Sequence, residues 1–230
     1  MTMQQMVLDM GLASAPTLDN FLADEHSELL AHLRLWLSNP KRSPVPTLLW
    51  GEGGCGKTHL LRAAQAQAQA QGEQVGWLDA SMRFPPSFDE RWSIVIMDDC
   101  HLYTAEQQAA AFNWFVNAQT PASGPARWVL AAADRPPADL AVREDLRTRL
   151  GWGQVFTVQA LTEADRRRVL RRAADERGVF LSDEVMDYML SRFSRDLSSL
   201  MQLLDQLDGY ALRTQRPITI PLVRAMLENT

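Results

Sequence analysis

Gly51-Glu52-Gly53-Gly54-Cys55-Gly56-Lys57-Thr58 decides how this chain is read. The octapeptide follows the apolar run Thr47-Leu48-Leu49-Trp50 and opens a long helical pattern, giving the strand–GxxxxGK[ST]–helix order of a phosphate-binding loop. The chemistry needs these residue types. Gly51, Gly53, Gly54 and Gly56, with Cys55 between them, let successive backbone N–H groups converge on phosphate oxygens. The start of the following helix adds partial positive charge. Lys57 reaches the β- and γ-phosphates, and the Thr58 hydroxyl is a ligand for Mg²⁺. A chance match is the alternative, and the position between strand and helix weighs against it. The expected cofactors are a nucleotide, ADP or ATP, and Mg²⁺.

Working outward, Ser93-Ile94-Val95-Ile96-Met97 is a continuous apolar run that ends in Asp98-Asp99. Such a run reads as a parallel strand buried on both faces, delivering carboxylates to the carboxyl edge of a sheet. Asp98 is placed to hold Mg²⁺ through water, and Asp99 to orient an attacking water. A helix cap or turn is the plainer reading of two aspartates, weaker downstream of a phosphate loop. Trp128 to Ala132 forms another buried run and delivers Asp134 to the same edge. Gln74–Leu78 and Val155–Val158 read as two further strands. Residues 79–92, with Pro85-Pro86, are a short connection with room for one helical turn. Helices are expected from Asp24, with Leu29, Leu30, Leu33, Trp36 and Leu37 on one face, and from the phosphate loop to about Gln71. Another spans 105–117, with Ala109, Phe112, Trp114, Phe115 and Val116 as its apolar surface, and Asp145 to Leu150 reads as a further short one. The Gln-Ala alternation at 65–71 reads as a solvated face.

From Thr162 onward the pattern is helical only. Thr162 caps one helix with Asp165 in the capping-box position, Ser182 caps a second, a third runs from about Asp196 to Thr214, and Ile220-Pro221 starts a fourth. The expected organisation is therefore a tail over 1–14, an α/β nucleotide-binding domain over 15–160 and an all-helical lid over 161–230.

The 230 residues are 46% hydrophobic and 22% charged, with a formal net charge of -5, which suits a globular chain with a substantial core. The acidic balance argues against broad tracking of a nucleic-acid backbone. Arg166-Arg167-Arg168 with Arg171-Arg172 is the one basic cluster, and an exposed solvated helix face explains it as well as a DNA groove does. Cys55 and Cys100 are the only cysteines and read as small packing residues in a reducing compartment. With no signal-like N-terminus and no membrane-length apolar run, a cytoplasmic location and no membrane partner are expected.

In the tail, Gln5-Met6-Val7-Leu8-Asp9-Met10 has a glutamine three residues before a leucine and another apolar side chain two further on. An extended peptide of this kind can lodge Leu8 and Met10 in an apolar pocket while Gln5 hydrogen-bonds the rim. The pattern is degenerate and carries little by itself.

The order of Gly51 to Thr58, Asp98-Asp99, Asp134-Arg135-Pro136-Pro137, Arg149-Leu150-Gly151-Trp152-Gly153 and Arg195-Asp196-Leu197 resembles that of AAA+ proteins. Thr17 to Phe21 and the stretches around Asp134 and Arg149 resemble those of the bacterial initiator DnaA. The resemblance spans about residues 15–228. It implies that Asn20 and Phe21 lie beside the nucleotide, that Asp134 is the sensor 1 residue and that Arg195 is the sensor 2 arginine of the lid. It also implies that Arg149 is an arginine finger acting on nucleotide held by a neighbouring subunit. The initiator's duplex-reading domain is not expected after the lid, and 79–92 is too short for the initiator's helical DNA-binding insertion. Meanwhile the tail is similar to peptides that dock on the sliding clamp (beta subunit) of DNA polymerase III.

Together these features resemble the Hda-type regulatory inactivators in the DnaA-related AAA+ family. The function this implies is binding the clamp and promoting hydrolysis of DnaA-bound ATP, which prevents re-initiation. ADP is the implied resting nucleotide, and homo-oligomers are compatible with the family. Strong direct DNA binding is not expected. The chain's own hydrolysis is left open, because Asp99 is one methylene shorter than the glutamate of most AAA+ ATPases. A helicase-loader-like or other DNA-remodelling ATPase, and a non-catalytic adaptor between clamp and DnaA, are the competing readings.

Overall fold

The computed structural model describes residues 15–21, 28–38, 45–192 and 197–228. Its contacts divide the chain into two compact units, Pro16–Ala160 and Leu161–Thr230. In the first, α1 (Glu28–Ser38) is followed by β1 (Thr47–Trp50), α2 (Lys57–Ala70), β2 (Gln74–Leu78), β3 (Trp92–Met97), α3 (Ala105–Gln119), β4 (Trp128–Ala133), α4 (Glu144–Leu150) and β5 (Gln154–Thr157). The second contains α5 (Glu163–Glu176), α6 (Asp183–Arg192), α7 (Leu197–Thr214) and α8 (Ile220–Glu228).

The five strands form one parallel sheet in the order β2-β3-β4-β1-β5. Strand side chains alternate between faces, and here both faces are covered, so the central strands are apolar throughout. Leu49, Ile94, Ile96, Leu130 and Ala132 pack under α1 and α2, against Leu33, Leu37, Leu60, Leu61 and Ala64. Their sequence neighbours Leu48, Val95, Met97, Val129 and Ala131 face the other way, toward Trp114 and Phe115 of α3 and Leu146 and Leu150 of α4. Trp36 stacks on Trp128 with ring centroids 4.5 Å apart, an arrangement that adds about 0.5–1.5 kcal/mol to the area it buries.

Three expectations are corrected. Ala109 is exposed, and Gln107, Ala111 and Ala118 supply the inner face of α3 instead, because the helix starts with a capping box at Thr104 and Gln107 that sets its phase. The Gln-Ala stretch of α2 is not wholly solvated: Ala68 is fully buried, one turn beyond Ala64. The connection after β2 contains no helical turn. The Gln107 amide holds it by donating to the carbonyls of Ala80 and Met82, both at 3.0 Å, and the Trp114 indole N–H donates to Pro86 O at 3.0 Å.

The helical unit has its own core of Leu170, Ala174, Met186, Met189, Leu200, Leu204, Leu207 and Val223. Thr162 and Asp165 form the expected capping box at the start of α5. The basic cluster on α5 is internally paired: Arg167 binds Asp183 and Asp187, Arg171 binds Asp183, Arg168 binds Asp165 and Arg172 binds Glu176. No helix among the described residues is long and apolar enough to cross a membrane.

Candidate nucleotide site

In a parallel sheet whose order reverses beside β1, ligands bind at the carboxyl edge where the connections diverge. The phosphate loop leaves that edge of β1. The adjacent β4 brings Asp134 there, and β3, next in line, brings Asp98 and Asp99. Gly51 N–H donates to Ala133 O at 3.2 Å, tying the loop's first residue to the end of β4.

The loop then turns through Gly54 (φ 76°) and Gly56 (φ 100°), both in the left-handed region. Gly56 is also crowded, since a Cβ there would lie 2.6 Å from the Phe21 ring. Gly53, by contrast, faces open space. Cys55 is buried beneath the loop. Lys57 is only 5% exposed, and its ammonium donates to the carbonyls of Gly51 (2.8 Å) and Glu52 (2.9 Å). The cation is thus held inside the loop, where it can exchange carbonyl partners for phosphate oxygens.

Asp98 is 4% exposed. Burial pushes its carboxyl above the ordinary carboxylate range, and Asp99 beside it acts in the same sense, while a hydrogen bond from Thr58 opposes them. Asp98 also accepts the Asp99 N–H at 3.0 Å. A buried carboxylate whose pKa stays raised despite the nearby Lys57 charge, and which the Thr58 hydroxyl touches, fits a divalent cation held between Thr58 and Asp98. Mg²⁺ there would neutralise phosphate charge. Asp99 has φ 50° and ψ 45°, a conformation aspartate tolerates and one that clusters at functional positions.

Asn20 and Phe21 reach the same region by a local device. Thr17 and Asn20 bond reciprocally: Thr17 N–H donates to Asn20 Oδ1 at 2.9 Å and Asn20 N–H to Thr17 Oγ1 at 3.1 Å. The turn sets Phe21 over Gly56 and within 5.8 Å of the His59 ring. His59 Nε2 lies 3.1 Å from Thr17 O, and burial lowers its pKa.

His101, in the short 3-10 turn after Asp99, was not singled out from the sequence. Its Nδ1 lies 4.0 Å from Asp134 Oδ1, and both atoms are buried without a hydrogen-bond partner. The other Asp134 oxygen accepts from Arg135 Nε at 3.1 Å. A titratable residue so soon after a strand-end acid pair was the signal available.

Arg149 is not part of this cluster. It lies in the last turn of α4, which leads into β5, and Gln154 of β5 pairs with Thr47, the first residue of β1. The phosphate loop follows Trp50, the last residue of β1. Arg149 therefore belongs to the opposite end of the strand. Arg195, Gln5, Leu8 and Met10 lie outside the described residues.

The sheet order, the phosphate loop and the acids gathered at one edge, with a helical unit following, define an AAA+ nucleotide-binding protein. The family model for the bacterial DnaA ATPase domain matches residues 12–157, and that for the Hda lid domain matches 163–227. An uncharacterised protein of Haemophilus influenzae is 35% identical over 219 residues, covering 92% of this chain and 93% of its own. The chain belongs to the DnaA-related AAA+ family of the Hda type. Among solved structures, domain III of the Thermotoga maritima initiator DnaA superposes with a TM-score of 0.74 at 19% identity, over 93% of this chain and 95% of that one. The Thermotoga maritima RuvB Holliday junction branch migration motor gives 0.64 at 16% identity, over 93% and 71%. These two likenesses establish the fold.

Proposed function

We propose that this protein regulates initiation of chromosome replication by binding the polymerase sliding clamp and promoting hydrolysis of ATP held by DnaA. Its own adenine nucleotide, bound with Mg²⁺ through Lys57, Thr58 and Asp98, acts chiefly as a structural ligand. An AMPPCP-bound DnaA from Aquifex aeolicus shares the fold, with a TM-score of 0.66 at 21% identity, which supports an adenine nucleotide in the loop here. What supports the action in trans is the placement of Arg149, at the end of β1 opposite the chain's own phosphate loop. A cation so placed suits a neighbouring subunit's nucleotide, where it can stabilise charge on a transferring phosphoryl group.

The loader-like reading needs a basic groove for single-stranded DNA. Four of the five arginines that could form it are engaged by carboxylates of the helical unit itself.

The test is turnover of DnaA-bound ATP in the presence of clamp-loaded DNA. Arg149→Ala should lose stimulation by about 10³-fold or more, the scale on which arginine fingers act, while retaining binding to DnaA and clamp. Full stimulation by that variant would favour the adaptor reading.

A further inference from the structure

Trp152 is 63% exposed, an uncommon position for so large an apolar ring, and it is held there rather than left there. The turn that carries it is fixed on both sides. Gly151 N–H donates to Arg147 O and Trp152 N–H to Arg149 O, each at 3.2 Å, and Gln154 N–H donates to Pro46 O at 2.9 Å. A Cβ at Gly153 would sit 1.8 Å from that same Pro46 oxygen, so only glycine lets the chain pass from the Trp152 turn into β5.

The indole covers Arg149. The guanidinium carbon lies 4.3 Å from the centroid of Trp152 and 5.9 Å from that of Phe112 on α3. Arg143, at the other end of α4, also lies over Phe112, at 5.4 Å, but its guanidinium is neutralised by a two-pronged pair with Asp145, at 2.8 and 2.6 Å. Arg149 makes no ion pair among the described residues. Among the described residues its charge is met by ring faces, an arrangement in which a guanidinium can stack and keep its N–H groups at the edge.

We infer that Trp152 is a positioning residue: it holds the Arg149 guanidinium flat and outward, ready for an anionic group such as a nucleotide phosphate presented by another subunit. The inference rests on the trans role proposed for Arg149, and it makes the exposed indole part of that face rather than an incidental surface residue. Because the ring is largely solvent-exposed, its loss costs the fold little, and the effect falls on orientation.

The experiment compares Trp152→Phe, which keeps a π-face, with Trp152→Leu, which keeps apolar bulk without one, in the full-length protein. The Nε–H resonance of Arg149, identified by its loss in Arg149→Lys, reports the geometry directly. It should be ring-current shifted in the wild type, less so in Trp152→Phe, and nearest the free-arginine position in Trp152→Leu, where the more distant Phe112 ring remains. In single-turnover hydrolysis of DnaA-bound ATP, Trp152→Leu should lower the saturating rate about two- to fivefold, the scale of an exposed cation–π contact. The half-saturating concentration should stay unchanged, and Trp152→Phe should restore the rate.

An Arg149 resonance identical in the wild type and Trp152→Leu overturns the inference. So does full stimulation by Trp152→Leu where Arg149→Ala has none. If Arg149→Ala stimulates normally, the trans role itself fails, and the resonance alone then decides whether Trp152 positions the guanidinium.

Discussion

Asp98 ends a strand buried on both faces, and that burial raises its carboxyl above the ordinary range. Between the unfolded value of about 3.9 and the raised folded one, the folded chain keeps a proton the unfolded chain has lost. Stability attributable to this group therefore falls as pH rises through that window, and at neutral pH the ionised carboxylate works against folding. Asp98→Asn should raise the melting temperature of the nucleotide-free protein at pH 7. The same variant should gain less on addition of Mg²⁺ and ADP, if the carboxylate expected to hold the cation through water is the one removed. A thermal-shift series with and without both ligands checks this, and a lower melting temperature in the nucleotide-free variant would contradict it.

His32 titrates with the opposite sign. Thr47 Oγ1 lies 3.3 Å from the Trp128 indole N–H, which donates to it, and 3.0 Å from His32 Nε2. Burial favours the neutral imidazole by lowering the His32 pKa. A histidine depressed in this way contributes stability that is fully present above about pH 6.5 and lost as pH falls through the lowered value. His59 adds to the same trend. Urea unfolding between pH 5 and 7 should show stability rising with pH, less steeply in His32→Gln. The wild type minus variant difference isolates the histidine, since Asp98 is common to both.

Two glycines in different elements carry opposite expectations. Gly153→Ala drives a methyl group into Pro46 O and must push β5 off β1, costing about 3 kcal/mol or more. Gly209, inside α7, has open space where a Cβ would go, so Gly209→Ala should stabilise the helical unit by about 0.5–1 kcal/mol. Scanning calorimetry of the two variants measures both signs. The strands were legible in the sequence because runs such as Ile94 to Met97 are apolar at every position, which burial on both faces demands. Their order was not, since the β2-β3-β4-β1-β5 arrangement depends on which helix crosses which strand. The phase of α3 was misread at Ala109, because an exposed alanine and a buried one look alike, and the buried polar Gln107 interrupts the apolar pattern.

For the molecule as a whole, the phosphate loop follows the last residue of β1, whereas α4, which carries Arg149, leads into the β5 residue that pairs with the first. The phosphate loop could be read from spacing alone, because eight consecutive residues carry its chemistry. Arg149 could not: the stretch Arg149-Leu150-Gly151-Trp152-Gly153 marks it only through a family resemblance, and its placement depends on the strand that α4 leads into. The hexapeptide Gln5 to Met10 lies outside the described residues and shares no residue with the phosphate loop or its acids, so clamp docking should be separable from nucleotide binding. Replacing Gln5 and Leu8 together with Ala removes the rim hydrogen bond and the pocket-filling side chain. That double variant should lose clamp binding by surface plasmon resonance while its ADP affinity and melting temperature stay at wild-type values. It should still support hydrolysis by DnaA at high protein concentration, because the tether raises local concentration without supplying the cation. Unchanged clamp binding would make the hexapeptide coincidental. Loss of ADP affinity in the same variant would show instead that the tail belongs to the nucleotide-binding fold.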